Sequence, residues 1–339
     1  MSNNNREDRI TLAHGSGGEE SAELIRELFL PYLTNPYLEK GEDGAFIEAR
    51  GDKVQTTDSF TVQPLIFSGG DIGKLVIAGL CNDLAVMGAR PEFLTLTFIL
   101  EEGLLYSDLH RFLSSMQKEL KLNDAVVVAA DTKVVPRNFG GGLYISGSAL
   151  GTIIQKPYSA YNIEEDDEII VSGPVGEHGA VVLMERNEFN MKSDLQSDCK
   201  SLWPVISKII KQVDIVAMRD ITRGGLATIL NEMALQSGHE FFVQETQIPV
   251  RPEVLGFCEI LGFHPYHMAC EGNFIAIAKP GQAQLAVECL RSNGFPEAAQ
   301  IGQVRAKLTK KRAPALLQTA ANTVRSLEPL RGEMLPRIC

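Results

Sequence analysis

A chain of 339 residues, 44% hydrophobic and 22% charged, has the composition of a folded globular protein, and its length predicts two domains. A formal net charge of −11 without a Lys/Arg-rich block excludes a nucleic-acid surface or an anionic membrane as the natural partner. It does not exclude a phosphate ligand, which glycine-loop amides and Mg2+ can bind without a basic surface. The polar start, Met1 to Asp8, is no signal-peptide core, and no apolar run reaches the roughly 18 residues of a bilayer span. Six cysteines without a Cys-x-x-Cys pair predict a reducing, cytoplasmic setting.

Along the chain, His14-Gly15-Ser16-Gly17-Gly18 precedes an amphipathic run in which Leu24, Ile25, Leu28 and Phe29 recur at helical spacing. Strands are expected at 53–57 and 93–100, with a mostly buried helix at 72–88 between them and a second helix at 108–120. Further strands are expected at 125–130 and 143–154. The polar stretch 155–168, ending Glu164-Glu165-Asp166-Asp167-Glu168, marks a domain boundary. Beyond it the pattern restarts. Strands are read at 169–171, 215–218 and 274–278, and helices from 180, over 226–236 and over 283–292. Residues from 307 onward, with Pro314, Pro329 and Pro336, read as a tail. These elements predict an α/β fold (α+β) of two mixed domains, 1–160 and 161–312, followed by a flexible tail, 313–339, that ends in Cys339.

Three aspartates flank apolar segments: Asp58, Asp83 and Asp131. Asp83 sits among Leu75, Val76, Ile77, Leu80, Leu84, Val86 and Met87 on a helix with no polar face. An ionised carboxylate there costs several kcal/mol unless it is paired, hydrogen-bonded or metal-bound. The three either converge on Mg2+ bridging a nucleotide's phosphates, or serve as strand-end caps and an arginine's buried partner. Glycine loops at 15–18, 69–73, 140–142 and 223–225 can present amides to phosphate, yet none is a P-loop or a dinucleotide fingerprint. His264, His267 and Cys270 are spaced three apart, but Pro265 interrupts any helix that would align them on zinc. Glu271 precedes a strand and is either a turn residue or a general base.

The motifs His14 to Gly18, Thr57-Asp58-Ser59, Gly73 through Asn82-Asp83 to Ala89, Asp131-Thr132-Lys133 and Asp220-Ile221-Thr222-Arg223-Gly224-Gly225 occur in the order of one superfamily. The chain resembles the ATP-using enzymes that include aminoimidazole ribonucleotide synthetase and selenophosphate synthetase. With its ending Pro336-Arg337-Ile338-Cys339, it is most similar to the HypE family of hydrogenase-maturation carbamoyl dehydratases. The resemblance implies a homodimer formed through the first domain's sheet, with ATP in clefts near that interface. It implies that Cys339 receives a carbamoyl group from a carbamoyltransferase partner (HypF-like). ATP-driven loss of water then leaves a thiocyanate, and the cyanide passes to a HypC-HypD-like scaffold for the iron centre of [NiFe]-hydrogenase. On the matching positions, Asp58, Asp83 and Asp131 would hold Mg2+, and Lys133 would stabilise charge on the activated oxygen. Glu271 would orient or deprotonate the carbamoyl nitrogen. Gly15, Gly17, Gly18, Asn82, Gly140, Gly141, Asp220, Arg223 and Gly224 would enclose ATP.

One departure stands out. The family's glutamate follows asparagine and precedes Gly-Lys, whereas here Cys270 and Asn273 flank Glu271. A selenophosphate synthetase would carry a reactive cysteine or selenocysteine in the first glycine loop, where this chain has Ser16. A purine-pathway cyclase has no use for a terminal cysteine. A non-catalytic carrier that presents Cys339 to partners remains as an alternative of another kind.

Overall fold

The computed structural model describes residues 9–16, 18–40, 44–48, 50–186, 193–309 and 313–330. Its first half opens with α1 (Glu19–Leu24), a π turn and α2 (Leu30–Leu33). There follow β1 (Lys53–Phe60), the short pair β2 (Ile66–Phe67) and β3 (Gly70–Asp71), α3 (Ile72–Val86), β4 (Ala89–Glu101), α4 (Tyr106–Asn123), β5 (Val126–Val135) and β6 (Leu143–Ile153). Strands β1, β6, β4 and β5 form a sheet in that order, with β4 and β5 parallel and the other pairs antiparallel. Helices α3 and α4 cover one face. On the other, alternate residues such as Thr57, Ser59, Thr95 and Ile99 are exposed.

The second half contains β7 (Glu168–Val171), α5 (Glu177–Glu185), α6 (Trp203–Ile209), β8 (Ile215–Asp220), α7 (Gly225–Ser237) and β9 (His239–Gln244). It continues with α8 (Pro252–Leu261), β10 (Phe274–Ala278), α9 (Ala283–Arg291), β11 (Ala299–Lys307), β12 (Ala315–Gln318) and β13 (Val324–Ser326). All seven strands join one sheet, ordered β13-β12-β9-β11-β7-β10-β8. Its central strands read as unbroken apolar runs because both faces are covered. Ile169, Val171, Ile275 and Ile277 pack under α7, while Ile170, Phe274 and Ala276 pack under α6 and α9.

The expected tail is corrected here. Ala315–Gln318 pairs in parallel with β9, and Val324–Ser326 turns back on it. Ala315 and Leu317 are fully buried, so their alternation, and not the flanking prolines, decides the local structure. Residues 331–339, Cys339 among them, lie outside the described residues.

Helix α3 joins the two halves. Asp71 caps its start by accepting the Lys74 amide at 3.0 Å and the Ser115 hydroxyl at 2.6 Å. From there to Val86 nearly every side chain is buried, against β1, β4, β6 and α4 of the first half and β8 and α6 of the second. Each buried Leu or Ile contributes about 1.5–3 kcal/mol. Val181, Val182 and Leu183 of α5 and Val254 and Phe257 of α8 extend the same core. Among the described residues no helix is long and apolar enough to cross a membrane.

Gly73 sits where α3 crosses α4, and a Cβ there would overlap the Phe112 carbonyl. Gly73→Ala should therefore destabilise the protein by about 1–3 kcal/mol, read as a lowered midpoint in thermal or urea denaturation, with an unchanged midpoint counting against this packing.

Candidate active site

Four acidic side chains from four separate elements line one cleft of about 280 Å³: Asp58, Asp83, Asp220 and Glu271. Asp58 lies near the end of β1, opposite Gly147 of β6. Asp83 projects from the last turn of α3, where Thr56 donates a 2.6 Å hydrogen bond to its Oδ2. Asp220 ends β8, paired with Phe274 of β10. Glu271 rides the tight loop before β10. That loop is pinned to the end of β8 by Cys270 N–H to Ile221 O at 3.1 Å and Ile221 N–H to Asn273 O at 2.9 Å.

Proton affinity is raised at Asp83, Asp220 and Glu271. Burial, then the neighbouring Asp83 charge, pushes Asp220 up to about 7. Burial also raises Asp83, opposed by the Thr56 hydrogen bond and reinforced by Asp58. Glu271 lies well above the ordinary carboxylate range, through burial first and then Asp198 and Asp220. Arg223, at the turn into α7, brings positive charge to the lining, and Gly224 and Gly225 make that turn with φ of +80° and +65°. His178 also lines the cleft. It is fully buried, bonded to Ser197 Oγ at 2.8 Å, and held down to about 3 by burial, so it is neutral.

An oxygen-only donor set suits a hard divalent cation, and Asp58 and Asp83 are the carboxylates that could hold one. Among the described residues no three His, Cys, Asp or Glu side chains form a metal-binding group on their own.

Asp131 does not join them. It sits on edge strand β5, three strands from β1, or roughly 14 Å at ordinary strand spacing. There it is exposed and paired with Lys133 at 2.6 Å, and the Lys133 hydrogen bond lowers its proton affinity. The first glycine loop and the 140–142 loop flank the same strand. Gly15 packs on Val134, and Gly140 lies near Glu101 and Val135. Gly141 abuts Tyr144, and Gly18 precedes α1. The residues predicted to form one site thus fall into two groups within a single chain. Gly17 and Cys339 lie outside the described residues.

Asn82 is a second correction. It is buried, with its amide nitrogen donating to Lys200 O at 3.1 Å and its oxygen accepting Leu202 N–H at 2.8 Å. Both its polar atoms hold protein backbone across the two halves. Cys270, the unusual neighbour of Glu271, is fully buried, accepts the Gly176 amide at 3.1 Å, and has its thiol proton held tightly by burial. It is a packing residue. His264 accepts the Tyr266 amide at 3.3 Å, and His267 meets Glu328 O at 3.0 Å.

Sequence reasoning missed Thr56, His178 and Asp198. Asp198 is a buried carboxylate, and nothing in its motif, Ser197-Asp198-Cys199, foretells its contact with a loop more than 70 residues away.

Comparison with known proteins places this geometry. Residues 41–153 match the N-terminal domain, and residues 164–311 the C-terminal domain, of AIR synthase related proteins. The carbamoyl dehydratase HypE of Rhodobacter capsulatus is 38% identical over 339 residues, covering 98% of this chain and 99% of the relative. The chain belongs to the HypE family of carbamoyl dehydratases. A crystal structure of the hydrogenase maturation protein HypE in complex with ATP superposes with a TM-score of 0.91 at 40% identity, covering 97% of this chain and 99% of that one. A HypE–HypF complex structure contains a chain with a TM-score of 0.77 at 34% identity, covering 91% and 99%. The HypE family thus spans both halves of the fold, the cleft between them and the edge strand β5.

Asp220 carries a testable signature. Its carboxyl binds a proton more tightly folded than unfolded, so it weakens the fold as pH rises from the ordinary carboxyl range through about 7. Asp220→Asn should lose that component, giving a denaturation midpoint that falls less, or rises more, than wild type between pH 4 and 7. Identical pH profiles would contradict the burial of this carboxyl.

Proposed function

We propose that the protein dehydrates a carbamoyl group carried on its own terminal thiol, converting S-carbamoyl-Cys339 to a thiocyanate at the expense of ATP. The observation that carries this reading is the anchoring of Leu330 beside the cleft. Leu330 N–H donates to Thr228 Oγ1 at 3.4 Å, and Thr228 packs directly on Gly224, beside cleft residue Arg223. Residues 331–339 span at most about 30 Å, enough to bring Cys339 to Glu271. The close similarity to a HypE structure with bound ATP supports ATP as the nucleotide.

The chemistry balances as follows. The carbamoyl oxygen attacks the γ-phosphorus and ADP departs. The nitrogen gives up one proton as the C–N bond becomes double. It gives up the second as that bond becomes triple and the C–O bond breaks, the oxygen leaving in inorganic phosphate. Glu271, with its raised proton affinity, is suited to accept a proton from nitrogen. Asp58 and Asp83 would hold Mg2+, which when bound neutralises phosphate charge. Asp220, Arg223 and the amides at Gly224 close the cleft around the phosphates.

Lys133 and Asp131 enter through a second copy of the chain. The exposed sheet face and the edge strand β5 support a homodimer in which one protomer's β5, with its flanking glycine loops at 15–18 and 140–142, completes the other's cleft. Lys133 then stabilises charge on the transferring phosphoryl group and Asp131 joins Asp58 and Asp83. The first domain, to about residue 160, provides dimerisation and the nucleotide site, and the second provides Glu271 and the root of the tail. A cytoplasmic HypF-like carbamoyltransferase loads Cys339, consistent with the HypE–HypF structure among its relatives, and a HypC-HypD-like scaffold takes the cyanide.

Mass spectrometry of Cys339 after carbamoylation and addition of ATP and Mg2+ should show loss of one water, with ADP formed. A persistent carbamoyl adduct with ATP intact favours a carrier instead. Lys133→Ala and Glu271→Gln should each slow the loss by roughly 100-fold or more, to a residual rate measurable in single turnover, and full activity in both would remove these roles. Mixed and re-equilibrated, the two impaired variants should regain roughly a quarter of wild-type activity, because half the dimers are mixed and each has one intact site. No recovery would place Lys133 and Glu271 in the same protomer's site.

A further inference from the structure

Glu271 reaches the cleft on a short loop with no regular structure of its own, and two buried residues on other segments hold that loop. We infer that Asp198 and Asn82 are positioning residues for Glu271, one fixing the loop from the second domain and the other setting it against the first. The inference rests on the reading of Glu271 as the group that takes the carbamoyl proton.

Asp198 is buried and spends its carboxylate on this loop. Its two oxygens accept the Glu271 amide at 3.2 Å each, and Oδ2 also accepts the Gly272 amide at 3.0 Å and the Asn273 Nδ2 at 2.9 Å. All three partners are donors, so an acceptor-only group fits where an amide or hydroxyl would not. Gly272 allows the approach, since a Cβ there would collide with the Asp198 carbonyl. Asn273 ties the assembly to β7's exit by donating to Pro174 O at 3.0 Å and accepting from Ser172 Oγ at 2.9 Å.

Asn82 acts from the other side. Besides Lys200 O and Leu202 N–H, its Nδ2 lies 3.5 Å from the Glu271 carbonyl, which Lys200 N–H also approaches at 3.4 Å. The residue next to it on α3 is Asp83, which lines the cleft. One step of helix therefore carries both a carboxylate of the nucleotide side and the group that gauges its separation from the base. Carboxylates need placing to within about half an ångström to be competent, and a misplacement of about 1 Å costs up to 100-fold in rate.

Asp198→Asn keeps the size but turns an NH2 toward donors. Single-turnover dehydration on Cys339 should slow by roughly 10- to 100-fold, while ATP affinity and the thermal midpoint stay near wild type. The deciding measurement is the double variant with Glu271→Gln. If Asp198 works through Glu271, Asp198→Asn/Glu271→Gln is no slower than Glu271→Gln alone. Multiplicative losses, or full activity in Asp198→Asn, overturn the inference. Should Asp198→Asn fail to fold, Asn82→Ala in the same cycle carries the same expected and overturning outcomes. Absence of water loss in the wild-type protein would instead defeat the proposed function itself.

Discussion

An ionisable carboxylate on a helix buried on nearly every side is the constraint from which the rest of this structure follows. Asp83 cannot face hydrocarbon, so the two halves meet along α3 with a polar seam left open at that point. Thr56, Asp58, Asp220 and Glu271 come to this seam from three different elements, and all but Thr56 are acids. Their mutual repulsion is a standing cost to folding that a bound cation and an anchored phosphate chain would relieve. Proteins store such frustration where they bind and react, and it appears here as raised proton affinities at three of the four acids.

The sequence was most legible where periodicity and burial coincide. The apolar run around Asp83 reads directly as a buried helix, and the apolar runs 169–171 of β7 and 274–278 of β10 read as the centre of a covered sheet. It was least legible where one element's structure is decided by a distant partner. Strand β12 is four residues between prolines and polar turns, and its place depends on β9, more than 70 residues earlier. Asp198 looks like any loop aspartate until the 271–273 amides fold over it. Motif order singled out Asp58, Asp83 and Asp220, which share one cleft, but it could not tell that Asn82 and Asp83, adjacent in one motif, make different contacts. Motifs record which residues travel together, and only packing tells which atoms are already spent.

The separation of Asp131 and Lys133 from the cleft has a similar lesson. Both belong to the motif set that names the family, yet sheet order puts them at the far edge from Asp58. A linear motif carries no subunit label. In the proposed dimer, a site assembled between copies would be written in one sequence as though it belonged to one chain, and the exposed alternation of the sheet face is where a second copy would pack.

The bond from Leu330 to Thr228 fixes one end of a short tether. A free nine-residue chain would have a root-mean-square span of roughly 16 Å. Were the proposed reaction to run on Cys339, its sulfur would meet its own cleft at an effective concentration on the order of millimolar. The length of residues 331–339 would then weigh beside the affinity of the cleft in the balance between reaction at home and delivery abroad.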